Sequence, residues 1–169
     1  IIDDRMNGGG NVSPMIIERL QREVYRMNMY RNGSEGLATI PESTHHGPKV
    51  CLVDKYSSSD GDLFPYGFQK LGIGPLIGTR TWGGIVGISG SKPYVDGQDV
   101  RTPFFTSYST DGKWILENEG VTPDIYVDIN PFEDYLGNDA QLNKAVEVLL
   151  EQIKTYPQLP GVPAPRVMD

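Results

Sequence analysis

Twice along this chain an apolar stretch ends in a glycine- or serine-rich turn that opens a helix, and this repeated unit restricts the architecture more than any other feature. The first runs from Ile1-Ile2-Asp3 into Asn7-Gly8-Gly9-Gly10-Asn11. Ser13 follows as an N-cap and Pro14 as the first helical residue, and Ile16, Ile17, Leu20, Val24 and Met27 recur at helical spacing, which predicts a helix over about residues 14 to 29. The second unit runs from the buried-strand pattern Lys49-Val50-Cys51-Leu52-Val53-Asp54 through Tyr56-Ser57-Ser58-Ser59-Asp60. Its helix carries Leu63, Phe64, Phe68 and Leu71 on one side, with Pro65 predicting a kink or a late start. Strands that each feed a helix point to an α/β fold of repeated strand-strand-helix layers.

The remaining segments are read around these two units. Residues 30 to 48 hold Gly33, Gly36, Pro41, Gly47 and Pro48 with little periodicity and read as a long surface excursion. From Pro75 to Val127, Ile, Val, Thr, Tyr and Phe predict mostly strand, with hairpin signals at Asp96-Gly97 and Asp111-Gly112. A last helix is expected from about Asp139 to Thr155, since Leu142, Ala145, Val146, Leu149, Leu150 and Ile153 share one face. Residues 1–156 thus form one core, and 157–169 a proline-rich tail. Ile1-Ile2 reads as the middle of a strand without initiator Met or signal peptide before it, so the chain is expected to continue upstream.

Each turn has a chemical reading beside a structural one. Strand, Gly8-Gly9-Gly10, helix presents backbone N–H groups near a helix N-terminus, where negative charge is favoured; the same residues also make a plain tight turn. Neither the Walker spacing nor the dinucleotide glycine pattern is present. Ser59, raised at the start of the next helix, is placed as a nucleophile would be, although serines before helices also serve as N-caps. Adjacent layers set such turns side by side. One then supplies the nucleophile and the other an N–H donor, giving an oxyanion hole from the amide of Asp60 and one of the glycines, Gly8 or Gly9.

Composition narrows the function classes. The net charge of −7 with scattered Lys and Arg argues against a nucleic-acid surface, and no apolar run approaches the roughly 20 residues of a membrane span. The single cysteine, Cys51, rules out an internal disulfide and every multi-cysteine metal site. His45 and His46 are the only histidines; adjacent in an irregular loop without a third ligand at suitable spacing, they make a weak metal site, and no metal is expected.

In order along the chain stand Ile2-Asp3, Arg5, Asn7-Gly8-Gly9-Gly10-Asn11-Val12-Ser13, Tyr56, Ser59-Asp60-Gly61-Asp62, Gly78-Thr79-Arg80-Thr81-Trp82-Gly83-Gly84, Glu117-Asn118, Gly120-Val121 and Pro123-Asp124. This series resembles the tricorn protease branch of the C-terminal processing (tail-specific) serine peptidases, over about residues 1 to 150. The resemblance implies a crotonase-like fold, of which this is the carboxy-terminal part of the catalytic domain. It also implies a Ser, His, Ser, Glu tetrad in which Ser59 matches the nucleophile and Glu117 the acid. The His and its neighbouring Ser lie upstream in the family, and neither His45 nor His46 matches that histidine. Taken alone, Glu117 would be a solvated turn carboxylate.

The implied function is hydrolysis of short or unstructured peptides through an acyl-enzyme, without metal or organic cofactor. Trp82, Gly83 and Gly84 are expected to border the substrate groove, though an aromatic beside a strand turn is also a common core element. Archaeal members carry an acid after the first helix that favours basic residues at the cleaved position; Asn28 stands nearest that place here and departs from it. The implied partners are peptide substrates and the upstream segment, with homo-oligomeric assembly compatible. Compartment stays open, prokaryotic and either periplasmic, secreted or cytoplasmic. The rival readings are a noncatalytic peptide-binding module of the same fold and an acyl-CoA enzyme of the wider superfold, which would not need a serine at position 59.

Overall fold

The computed structural model describes residues 1–31, 37–89 and 93–164. Gly33 and Gly36 of the expected excursion, and the tail from Pro165 onward, lie outside the described residues. The elements in order are β1 (Ile2–Asp3), α1 (Ser13–Leu20), β2 (Arg26–Met29), β3 (Leu37–Ile40), β4 (Cys51–Val53), α2 (Asp60–Lys70), β5 (Leu76–Gly78), β6 (Gly87–Ser89), β7 (Thr102–Phe105), β8 (Ile125–Tyr126), α3 (Pro131–Tyr135) and α4 (Ala140–Ile153).

A parallel sheet in the order β1-β4-β5-β8 organises the chain. Its registers pair Ile2 with Cys51, Leu52 with Ile77 and Ile77 with Ile125. Side chains alternate across the pleat, so β4 feeds two cores. Cys51 and Val53 pack with Leu20, Phe64 and Phe68 of α1 and α2, while Val50 and Leu52 pack with Ile77 and Ala145 of α4. Burial on both faces explains the unbroken apolar run of residues 50–53. No helix among the described residues is long and apolar enough to cross a membrane.

Both strand–turn–helix units form, with corrections at their helices. α1 ends at Leu20 instead of near residue 29. Met27, which fits the helical period, lies instead in β2, an antiparallel partner of β3, so ladder pairing overrides the local pattern. Ser13 is not the N-cap of α1: its hydroxyl donates to Asp60 Oδ1 at 2.5 Å, and Asp60 Oδ2 accepts the N–H groups of Val12 and Ser13. α2 runs unbroken from Asp60 with the buried Pro65 inside it.

The segment from Pro75 to Val127 holds fewer strand residues than its composition suggests. The Asp96-Gly97 turn lies between β6 and β7, and Asp111-Gly112 sits inside an isolated bridge between Tyr108 and Trp114. Between β5 and β6, the amides of Gly83, Ile85 and Val86 bond to the carboxylates of Asp62 and Glu117 instead of to ladder neighbours. The terminal helix forms as expected with Asp139 as its cap, whereas α3, capped by Asn130, was not expected.

Candidate active site

The turns following β1, β4 and β5 leave the same carboxyl edge of the sheet from neighbouring strands, the edge at which open α/β sheets place their ligands. Hydrogen bonds join the first turn to the second: Met6 N–H donates to Asp54 Oδ1, Ser58 N–H to the Asn7 carbonyl, and the Ser57 hydroxyl to the Asp4 carbonyl. Others join the second to the third, as Ser59 N–H donates to the Gly84 carbonyl and Trp82 N–H to that of Ser57.

Ser59 immediately precedes α2 with φ 57° and ψ −113°. A non-glycine residue rarely occupies that region, and holding one there costs roughly 1–3 kcal/mol. The serine of a sharp strand-to-helix elbow is held in a comparable strained turn. Gly9, at φ 113°, faces it so closely that a methyl group there would lie 2.7 Å from Ser59 Cβ and 3.1 Å from Oγ. Only glycine fits this approach. Gly9 N–H donates to Asn7 Oδ1 at 3.0 Å, whereas the amides of Gly8, Gly10 and Asp60 donate to no acceptor among the described residues. Asp60 is the first residue of α2, so its amide belongs to the positive end of that helix.

Sequence reasoning missed the group that ties these parts together. Asp62 is fully buried, and its carboxylate accepts from the amides of Ser59, Gly83 and Gly84 and from the Thr81 hydroxyl. One side chain therefore fixes the serine turn and the Trp82-Gly83-Gly84 segment relative to each other. The available signal was spacing, because an acid three residues after Ser59 fits one half of a capping box.

Glu117 is held between two left-handed residues, Leu116 (φ 66°) and Asn118 (φ 62°). Its Oε2 accepts the amides of Ile85 and Val86 at 2.8 and 3.0 Å. Those amides adjoin Gly84, whose carbonyl receives Ser59, so Glu117 belongs to the same cluster as the serine. Trp82 is 59% exposed and lays its ring against Gly84, at the rim instead of in the core. Asn28 lies in β2, where it pairs with Ala38 of β3, and no hydrogen bond among the described residues connects it to this cluster.

The two histidines lie elsewhere. They line a groove of about 470 Å³ with Leu20, Lys49 and Tyr156. His46 Nε2 is 3.0 Å from the Pro157 carbonyl, and its ring packs edge-on against Tyr156. Lys49 leads into β4 whereas Ser59 follows it, so groove and serine turn occupy opposite edges of the sheet.

The carboxyl edge of the parallel sheet thus gathers a strained serine, a glycine turn and amides that have no acceptor among the described residues. The model of peptidase family S41 matches residues 1–127, and the chain belongs to that family. Among curated proteins it is 38% identical over 165 residues to tricorn protease from Thermoplasma acidophilum, covering 97% of this chain and 15% of that protein. It is 39% identical over 156 residues to a tricorn protease homolog from Saccharolobus solfataricus, covering 90% and 14%. The solved structure of the tricorn protease superposes with a TM-score of 0.84 at 38% identity, covering 90% of this chain and 15% of that one. The chain thus spans about 15% of the length of the curated relatives it matches.

Proposed function

We propose that this chain carries the nucleophile of a serine peptidase, with Ser59 attacking the carbonyl of short or unstructured peptides. The observation that carries the reading is the seating of Gly9 against a strained Ser59, with the Asp60 amide at the start of α2 unpaired among the described residues. A serine held so, beside N–H donors that need no rearrangement, suits a developing oxyanion. Asn7 already occupies the Gly9 amide, so Gly8 or Gly10 is the donor that joins Asp60.

In the proposed reaction a histidine takes the Ser59 hydroxyl proton as Oγ bonds to the carbonyl carbon, and the negative oxygen settles between the two amides. The C–N bond then breaks and the amine leaves with that proton. Water attacks the ester, its proton passing to the histidine and back to Oγ as the acid departs. Glu117 is the acidic member; with Oε2 anchored on two amides, Oε1 takes no hydrogen bond among the described residues and is the atom left to accept from the second serine of the family's tetrad. That serine and the histidine come from the segment preceding this one in the family, because His45 and His46 sit on the opposite edge of the sheet. Trp82, Gly83 and Gly84 border the bound peptide, and the sheet with its flanking helices is a portion of crotonase-like layering.

The test is hydrolysis of an unstructured fluorogenic peptide with and without the preceding segment. The reading predicts turnover only with it, and none in Ser59→Ala. Full turnover by the chain alone that survives mutation of both His45 and His46 would overturn the assignment of the base.

A further inference from the structure

Asp4 stands directly behind the glycine turn and takes no part in the chemistry above. The residue is buried, at 6% exposure; Oδ1 accepts Asn7 Nδ2 at 2.8 Å, and Oδ2 is buried without a hydrogen-bond partner among the described residues. An asparagine amide presents donors on one side and an acceptor on the other, so a carboxyl group facing one side decides which way it points. With Nδ2 turned to Asp4, Oδ1 meets the Gly9 N–H at 3.0 Å. The Asn7 main-chain carbonyl takes the Ser58 N–H at 2.8 Å, and a methyl group at Gly61 would lie 2.4 Å from that oxygen. Asn7 is thus wedged between the glycine turn and the serine turn, and Asp4 sets its orientation.

We propose that Asp4 is a positioning residue of the Ser59 site, fixing the Asn7 amide so that the 8–10 turn is held against the serine. The inference rests on the serine-peptidase reading for its functional consequence and on the hydrogen bonds alone for its geometry. Asp4 is an expensive way to provide an acceptor. Burial above all pushes its carboxyl up to about 7, the Asn7 hydrogen bond opposes this, and Asp60, Asp3 and Asp54 press the same way as burial. Burial raises the Cys51 thiol on β4, and the nearby Asp4 charge pushes it the same way. An apolar residue of similar shape would remove that cost and would release Asn7.

The experiment compares wild type, Asp4→Leu, Asp4→Asn and Asn7→Ala in the full chain together with the segment that precedes it in the family, by hydrogen exchange of the peptide covering residues 6–12 and by steady-state hydrolysis. Asp4→Leu is expected to speed exchange and to lower kcat by about 10²-fold, the cost of a misplacement near 1 Å. KM should change by less than about threefold, since the loss falls on the transition state. Asp4→Asn keeps an acceptor oxygen and should restore both. If Asp4→Leu does not fold, Asn7→Ala decides: unchanged exchange there overturns the proposal. Unchanged exchange and kcat in a folded Asp4→Leu, with only a lowered melting temperature, would likewise reduce Asp4 to a structural residue. Absence of hydrolysis in the wild type with that segment present would defeat the peptidase reading, while exchange would still decide the role of Asp4.

Discussion

The conformation of Ser59 makes a prediction that separates stability from chemistry. Glycine tolerates φ 57° and ψ −113° where serine does not, so Ser59→Gly should raise stability by about 1 kcal/mol in urea titration. Peptide hydrolysis should vanish in the same variant. Equal or lower stability would mean that the turn stores no strain. Gly9→Ala should do the reverse of a neutral change, because its methyl would meet Ser59 Cβ at 2.7 Å and its φ of 113° is hostile to any side chain. A loss of more than about 1 kcal/mol is expected, together with loss of turnover. At Asp62 an amide cannot accept on both atoms, so Asp62→Asn turns an NH₂ group toward backbone N–H donors that now point at a carboxylate oxygen. Calorimetry should show about 2–4 kcal/mol of destabilisation, the range for losing charge-assisted hydrogen bonds inside the protein.

At the scale of elements, the Asp60 carboxylate and the Asp60 amide belong to different tasks. The carboxylate caps α1 by accepting from Val12 and Ser13, whereas the amide opens α2 beside Ser59. Asp60→Ala should therefore cost about 1–2 kcal/mol as a lost cap and leave the amide in place. Faster hydrogen exchange confined to α1 and its preceding turn would verify this; uncapping that spread to β4 would contradict it.

The elements also mark where the sequence was legible. Residues 50–53, the amphipathic face of α4 and the turns at Gly9 and Ser59 could be read because each rests on local chemistry: an apolar run, a helical period, a glycine or serine before a helix. Three features could not. Met27 fits both a helix and β2, and only pairing with residues distant in sequence decides between them. Ser13 has the composition of a cap, yet the cap comes from Asp60, 47 residues away. The stretch after β5 has strand composition, but its amides satisfy Asp62 and Glu117, which no periodicity could report. The serine turn and the glycine turn were thus visible from sequence, whereas the backbone amides that Asp62 and Glu117 hold became visible only in three dimensions.

For the whole molecule, pH acts through carboxyl groups shifted in opposite directions. Burial raises the Asp4 carboxyl from 3.8 to about 7, so the folded state binds a proton that the unfolded state releases. Its contribution to stability is complete below pH 3.8 and is lost as pH rises toward about 7. The hydrogen bond from Arg5 lowers the Asp3 carboxyl, whose contribution is present above its unfolded value near 3.8 and is lost as pH falls through the folded one. Asp4→Asn should therefore remove the decline between about pH 4 and 7 and leave the acid side unchanged, as denaturant midpoints across that range would record. A decline that persists in the variant would assign it to another group.

The central claim concerns a single oxygen, and labelling addresses it most directly. The protein, together with the segment that precedes this chain in the family, is treated with a serine-directed fluorophosphonate and then digested and mapped by mass spectrometry. The account predicts one phosphonyl group per molecule, located on Ser59, with residual hydrolysis falling in proportion to labelling and no adduct in Ser59→Ala. Stoichiometric modification at another residue, or hydrolysis that persists after Ser59 is fully labelled, would contradict it.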